Sequence, residues 1–122
     1  MKSFAPILCL LTINMVANYT LLKHYVISVF ESIGCSEQDA ILAADVLVSA
    51  DARGIDSHGV ARLAGYIRLF DHGRLNPKPN IKILHESPST ALVDGDCGLG
   101  LVVAPKAMEI ACGKANVAGT GW

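Results

Sequence analysis

Apolar residues recur at helical spacing through the first two-thirds of the chain and change to strand-like spacing after it. Leu21, Leu22, Tyr25, Val26, Val29, Phe30 and Ile33 predict a first helix, which Gly34 stops. Ser36 and Asp39 resemble a capping box and predict a second helix. Its apolar face runs through Ile41, Leu42, Ala44, Val46, Leu47 and Val48 and ends near Arg53-Gly54. A third pattern, Val60, Leu63, Ala64, Ile67 and Phe70 or Asp71, predicts an amphipathic helix from His58 to about His72. Ser57 stands as its N-cap and Gly73 as its C-cap. Asn76-Pro77-Lys78-Pro79-Asn80 then forbids any continuation of helix.

Beyond that linker, Ile81, Ile83 and Leu84 predict a strand, Ser87-Pro88-Ser89 a turn, and Thr90-Ala91-Leu92-Val93-Asp94 the hairpin partner. The loop Gly95-Asp96-Cys97-Gly98-Leu99-Gly100 feeds a helix from about Leu101 to Asn116, and a further strand is expected to begin at Gly119-Thr120-Gly121-Trp122. The expected class is α/β, divided into an atypical apolar leader (1–19), a helical region (20–78) and the beginning of an α/β domain (79–122). Two strands cannot cover a helix-flanked sheet, so the pattern is that of an N-terminal fragment.

Residues 1–19 fit nothing well. The run Ile7-Leu8-Cys9-Leu10-Leu11-Thr12-Ile13 is too short and too interrupted for a membrane span. As a signal peptide it has a poor cleavage site at Met15 and Ala17. An irregular lead-in or a misplaced gene start reads equally well, and the sequon Asn18-Tyr19-Thr20 matters only in a secreted chain.

In 122 residues the net charge is −1 and the ten Lys and Arg are scattered, so no footprint for nucleic acid exists. The four cysteines are widely separated, without C-x-x-C or paired His spacing, which excludes a zinc motif and favours reduced thiols. No metal is expected. The cytoplasm follows as the compartment, with organellar or secretory targeting the alternative if residues 1–17 are a targeting segment.

Between the second and third helical patterns lies the one tight cluster able to do proton chemistry. Four residues apart on a helix, His58 and Arg62 project from one face. An anion is welcome beside unpaired first-turn amides. The arrangement suits a 2-hydroxy or 2-oxo acid: Arg62 would hold the carboxylate bidentately, and His58 would move the proton on the neighbouring oxygen. Tyr66, four beyond Arg62, would extend that face with a hydroxyl, and Asp56 would orient His58. The bland alternative is a capped helix start with solvated neighbours. The glycine-rich 95–100 loop has the wrong spacing for G-x-G-x-x-G and no P-loop lysine, so it reads as a turn with close backbone approach.

The segment Ala50-Asp51-Ala52-Arg53-Gly54-Ile55-Asp56-Ser57-His58-Gly59-Val60-Ala61-Arg62-Leu63 resembles the signature of the malate/L-lactate dehydrogenase family. Matches continue in order at Gly73-Arg74-Leu75-Asn76-Pro77, Ala91-Leu92-Val93-Asp94-Gly95-Asp96, Gly98-Leu99-Gly100 and Ala107-Met108, so the resemblance covers about residues 34–122. It implies an oxidoreductase moving a hydride between NAD or NADP and a small 2-hydroxy or 2-oxo acid. His58 and Ser57 would be catalytic, and Arg62 and Tyr66 substrate-binding. It further implies a mixed-sheet, non-Rossmann nicotinamide-binding domain, truncated here, and a homodimer when complete. No cofactor-binding residue is assigned. The rival expectation is a non-catalytic remnant of the same family.

Overall fold

The computed structural model describes residues 16–122. Residues 1–15, with most of the expected leader, lie outside the described residues. Helix α1 spans Tyr19–Ser32 and helix α2 spans Glu37–Ala52. Each begins on a side-chain cap. Asn18 Oδ1 accepts the Leu21 N–H at 3.1 Å, and Ser36 Oγ accepts the Asp39 N–H at 3.2 Å. The Asn18 of the sequon is therefore the first cap of the fold. Between the helices Gly34 takes φ +99°, the left-handed stop that its position implied.

Val26 and Phe30 of α1, with Ile33 just after it, join Ala40, Ala43, Ala44, Leu47 and Val48 of α2 in one buried cluster. The small alanines let the helix axes approach, and each fully buried large side chain contributes roughly 1.5–3 kcal/mol. Two parts of the expected faces are corrected. Ile41 and Val46 are exposed, because the buried stripe of α2 runs 40, 43, 44, 47, 48 and these two lie off it. Leu21 and Tyr25 are likewise exposed, at 70% and 60%, outside the α1 stripe of Leu22, Val26, Val29, Phe30 and Ile33.

The third helix begins later than expected. Two 3-10 turns, Asp56–His58 and Val60–Arg62, precede α3, which spans Leu63–Asp71. Gly73, at φ +65°, ends it as expected. Leu63, with Val60, Ile67 and Phe70 partly buried, joins the core; Ala64 is exposed.

Strand β1 (Lys82–Glu86) pairs antiparallel with β2 (Ala91–Asp94), with a register shift between Ile83 and His85. Ser87 and Thr90 close the turn, N–H to C=O at 2.9 Å and hydroxyl to hydroxyl at 2.8 Å. Helix α4 spans Gly100–Ala118 and returns the chain to the hairpin. There Trp122 donates to the Ser89 carbonyl at 2.9 Å and accepts from the Ala91 N–H at 2.8 Å. That pair of bonds follows the parallel pattern on the outer edge of β2, while the sheet itself is the two-stranded antiparallel hairpin.

Leu99 and Val102 carry α4 into the same core as α1 and α2. Lysines hold it at two points. Lys106 Nζ meets Asp39 Oδ1 at 2.7 Å, and Lys114 Nζ meets Glu86 Oε2 at 3.0 Å and the Ser87 carbonyl at 2.7 Å. A second stitch runs from the segment after α3 to the loop before α4. Asn76 donates its N–H to the Cys97 carbonyl at 2.9 Å, and Asp96 Oδ2 accepts from Asn76 Nδ2 and the Asn80 N–H, each at 2.9 Å. Among the described residues, no helix is long and apolar enough to cross a membrane.

Candidate active site

The end of α2 sets the site's geometry. Its last turn closes with the Ile55 N–H on the Ala50 carbonyl at 2.9 Å and Gly54 at φ +74°, turning the chain sharply out of the helix. The 3-10 turn Asp56–His58 follows, with the His58 N–H on the Ile55 carbonyl at 2.9 Å.

Ser57 is not an N-cap, which corrects the expectation for this residue. Its side chain points along the turn instead, and its Oγ lies 2.9 Å from His58 Nδ1. The capping role belongs to Asp51, whose Oδ2 accepts the Val60 N–H at 2.8 Å. The first α-helical residue is Leu63, so the α-helix start lies five positions after His58 and the expected four-residue helical face does not exist. The two side chains are joined another way. Arg62 Nε donates to the Ser57 carbonyl at 2.8 Å, while the Ser57 hydroxyl engages the His58 ring. Ser57 thus links Arg62 to His58.

This linked trio opens on a groove of about 430 Å³. Its walls come from Val46 and Ala50 of α2, Gly65, Tyr66 and Leu69 of α3, and Leu101 of α4, with His58 and Arg62 at the polar end. His58 and Arg62 are exposed, and Tyr66 is half-buried. The Tyr66 ring rests 6.2 Å from that of Phe30, centre to centre and tilted by 58°. The core therefore fixes the ring while the residue still lines the groove.

The structure brings together all four expected site residues, Ser57, His58, Arg62 and Tyr66. It does not join Asp56 to His58: among the described residues the ring's partner is Ser57. His24 on α1, His72 after α3 and His85 on β1 stand apart from the groove. Sequence reasoning missed Asp51 and the groove's apolar wall. Asp51 bonds nine positions ahead, which no local motif signals, and Val46 had been assigned to the core.

With Nε committed to Ser57, the outer guanidinium nitrogens of Arg62 have no hydrogen-bond partner among the described residues and present a fork to a carboxylate. With Nδ1 committed to Ser57, the ring offers Nε2 for proton transfer. Ser57 can donate or accept, but transfer at Nε2 in both directions requires it to accept from Nδ1–H.

The 95–100 loop is shaped by close packing at two of its glycines. Asp96 and Cys97 take φ +49° and +53°; a Cβ on Gly95 would press on Val103, and one on Gly98 on Pro79. Gly95 and Gly98 thus serve close contact within the protein, while a Cβ on Gly100 would meet nothing within 4 Å. Among the described residues no group of three or more His, Cys, Asp or Glu could hold a metal. Away from the groove, burial, aided by the Asp39 carboxylate, pushes the Cys35 thiol above its ordinary pKa.

In this α/β chain a histidine and an arginine, linked through Ser57, line one largely apolar groove. The chain belongs to the malate/L-lactate dehydrogenase family, whose model matches residues 17–122. It is 50% identical over 99 residues to the L-sulfolactate dehydrogenase of Methanocaldococcus jannaschii, a match over 81% of this chain and 29% of that protein. It is 48% identical over 97 residues to the malate dehydrogenase of Pyrococcus abyssi, over 80% of this chain and 27% of that one. The solved malate dehydrogenase of Pyrococcus horikoshii OT3 superposes with a TM-score of 0.84 at 41% identity, over 88% of this chain and 31% of that one. The chain thus spans about 30% of the length of the relatives it matches.

Proposed function

We propose that this chain supplies the acid–base and carboxylate-holding side of an NAD(P)-dependent dehydrogenase acting on a small 2-hydroxy or 2-oxo acid. One observation carries the reading: Ser57 ties Arg62 Nε and His58 Nδ1 into a single unit at the mouth of the groove. Hydride chemistry belongs to the nicotinamide.

What the chain's own residues do follows from their placement. The outer nitrogens of Arg62 hold the substrate carboxylate, placing the adjacent oxygen toward His58. In oxidation His58 takes the hydroxyl proton at Nε2; in reduction it returns that proton to the carbonyl oxygen. Ser57 accepts from Nδ1–H throughout, fixing the ring plane. Tyr66 closes the wall and offers a hydroxyl to the bound acid. A homodimer and a cytoplasmic setting complete the proposal. The resemblance supports the first, and the free thiols of Cys35, Cys97 and Cys112 support the second.

The test is nicotinamide-coupled turnover of the native gene product with malate, lactate, sulfolactate and ureidoglycolate. At least one should be oxidised, with His58→Ala lowering kcat by roughly a hundred- to ten-thousandfold while KM changes little. A folded product with no turnover on any hydroxy acid would replace this reading with that of a non-catalytic family member.

A further inference from the structure

We infer that Asp51, at the C-terminal end of α2, is a positioning residue for the groove: its carboxylate fixes the turn that carries His58 and Arg62. The inference rests on the roles proposed above for those two side chains. Asp51 Oδ2 accepts the Val60 N–H at 2.8 Å. Among the described residues it is the only side-chain hydrogen bond tying α2 to the two 3-10 turns. The bond is partly buried, so leaving the Val60 N–H without an acceptor is costly.

A second observation comes from the other side of the same contact. Gly59 is buried, with φ −87° and ψ −152°, a backbone any residue can adopt. Conformation therefore does not explain a glycine here; space does. A Cβ at position 59 would run into the Asp51 carboxylate. The chain passes against that carboxylate between His58 and Val60, and the carboxylate fills the place a side chain would take.

Without this contact the backbone of the turn is tied to α2 only at its start, by the Ile55 N–H on the Ala50 carbonyl at 2.9 Å. Beyond that point it is held by its own short-range bonds, His58 N–H to Ile55 at 2.9 Å and Gly59 N–H to Asp56 at a long 3.3 Å. Such 3-10 bonds are poorly aligned and give easily. The groove's other wall, Val46 and Ala50, belongs to α2 itself. Asp51 thus sets where His58 and Arg62 stand relative to that wall, and a displacement of about 1 Å at a reacting group costs on the order of a hundredfold in rate.

The role is that of an acceptor rather than of a charge, and the variants separate the two. Asp51→Asn keeps an acceptor oxygen; Asp51→Ala removes it; Gly59→Ala presses on the contact from the opposite side. The experiment uses the native gene product labelled with 15N-histidine, recording long-range 15N–1H spectra of the rings, with His58 identified by its loss in His58→Gln. Asp51→Asn should keep the His58 pattern. Asp51→Ala should move it toward a mixture of tautomers while His24, His72 and His85 stay in place. Gly59→Ala should also displace the His58 signals, yet add nothing in the Asp51→Ala background, where no carboxylate remains to collide with.

An unchanged His58 ring in Asp51→Ala would overturn the inference. So would all four histidines moving together with a lowered urea midpoint, which marks a merely structural role. If Asp51→Ala does not fold, Asp51→Asn and Gly59→Ala still decide: loss of the His58 pattern in the first, or no change in the second, overturns it. These spectra need no turnover, so an inactive wild type would sink the functional reading and leave this one standing on its own result.

Discussion

Ser57→Ala gives the sharpest test of how the site's parts are linked. The substitution removes the Ser57 hydroxyl, 2.9 Å from His58 Nδ1, and leaves the Ser57 carbonyl, which receives Arg62 Nε at 2.8 Å. The ring is thus released while the guanidinium stays held. Both Ser57 and His58 are exposed, so water replaces much of the lost bond and the net figure for an ordinary hydrogen bond applies, about 0.5–1.5 kcal/mol. That energy corresponds to a fall in kcat of about two- to thirteenfold. KM should hold, because the residue proposed to grip the carboxylate keeps its anchor. Steady-state kinetics on the native gene product with its best hydroxy acid would decide. A KM rising tenfold at constant kcat would show that the hydroxyl touches substrate rather than the ring. A loss as large as that of His58→Ala would make Ser57 a proton carrier in its own right.

The remaining expectations follow from single contacts. Arg62→Lys should weaken substrate binding by about 2–4 kcal/mol, read as a raised KM, because one ammonium cannot serve both the Ser57 carbonyl and a bidentate carboxylate. Phe30→Ala should cost about 3–5 kcal/mol by urea unfolding, since the ring is fully buried, and it should loosen Tyr66, which leans on it. Iodoacetamide should label exposed Cys97 and Cys112 quickly and leave buried Cys35 until unfolding. Because folding raises the Cys35 pKa, the folded state holds that proton more tightly. Its contribution is full below the unfolded thiol pKa and fades as pH climbs through the folded one. Cys35→Ala should flatten that alkaline decline in urea midpoint, and an unchanged slope would contradict the burial argument.

What could be read in advance, and what could not, divides by the range of the interaction. Ser36 on Asp39, Gly34 and Gly73 at helix ends, and the Ser87-Pro88-Ser89 turn are local devices, and each stands where the residues implied. The class was legible for the same reason, as was the resemblance that the family match bears out. Ser57 misled because a serine before an apolar run looks like a cap whether or not its hydroxyl turns back to the helix. The acceptor that does the capping, Asp51, sits a full loop away. Ile41 and Val46 misled because two turns of near-continuous apolar sequence define a helix without saying which face it buries. The site's polar members were visible as residue types at suggestive spacing. Their joining through Ser57, and the wall from Leu101, needed the fold.

The groove's walls come from α2, α3 and α4, and this has a kinetic consequence. Helices α1 and α2 are neighbours in the chain with only residues 33–36 between them, so their contact closes at little cost in chain entropy and belongs to the early part of folding. The β1–β2 hairpin is local in the same sense. Leu101 reaches the groove only after the chain has passed through α3, the proline linker and the whole hairpin. Early in folding, then, the chain presents Val46 and Ala50 as a bare apolar surface. The groove acquires its far wall only through a contact between residues more than fifty positions apart, the costlier closure in chain entropy.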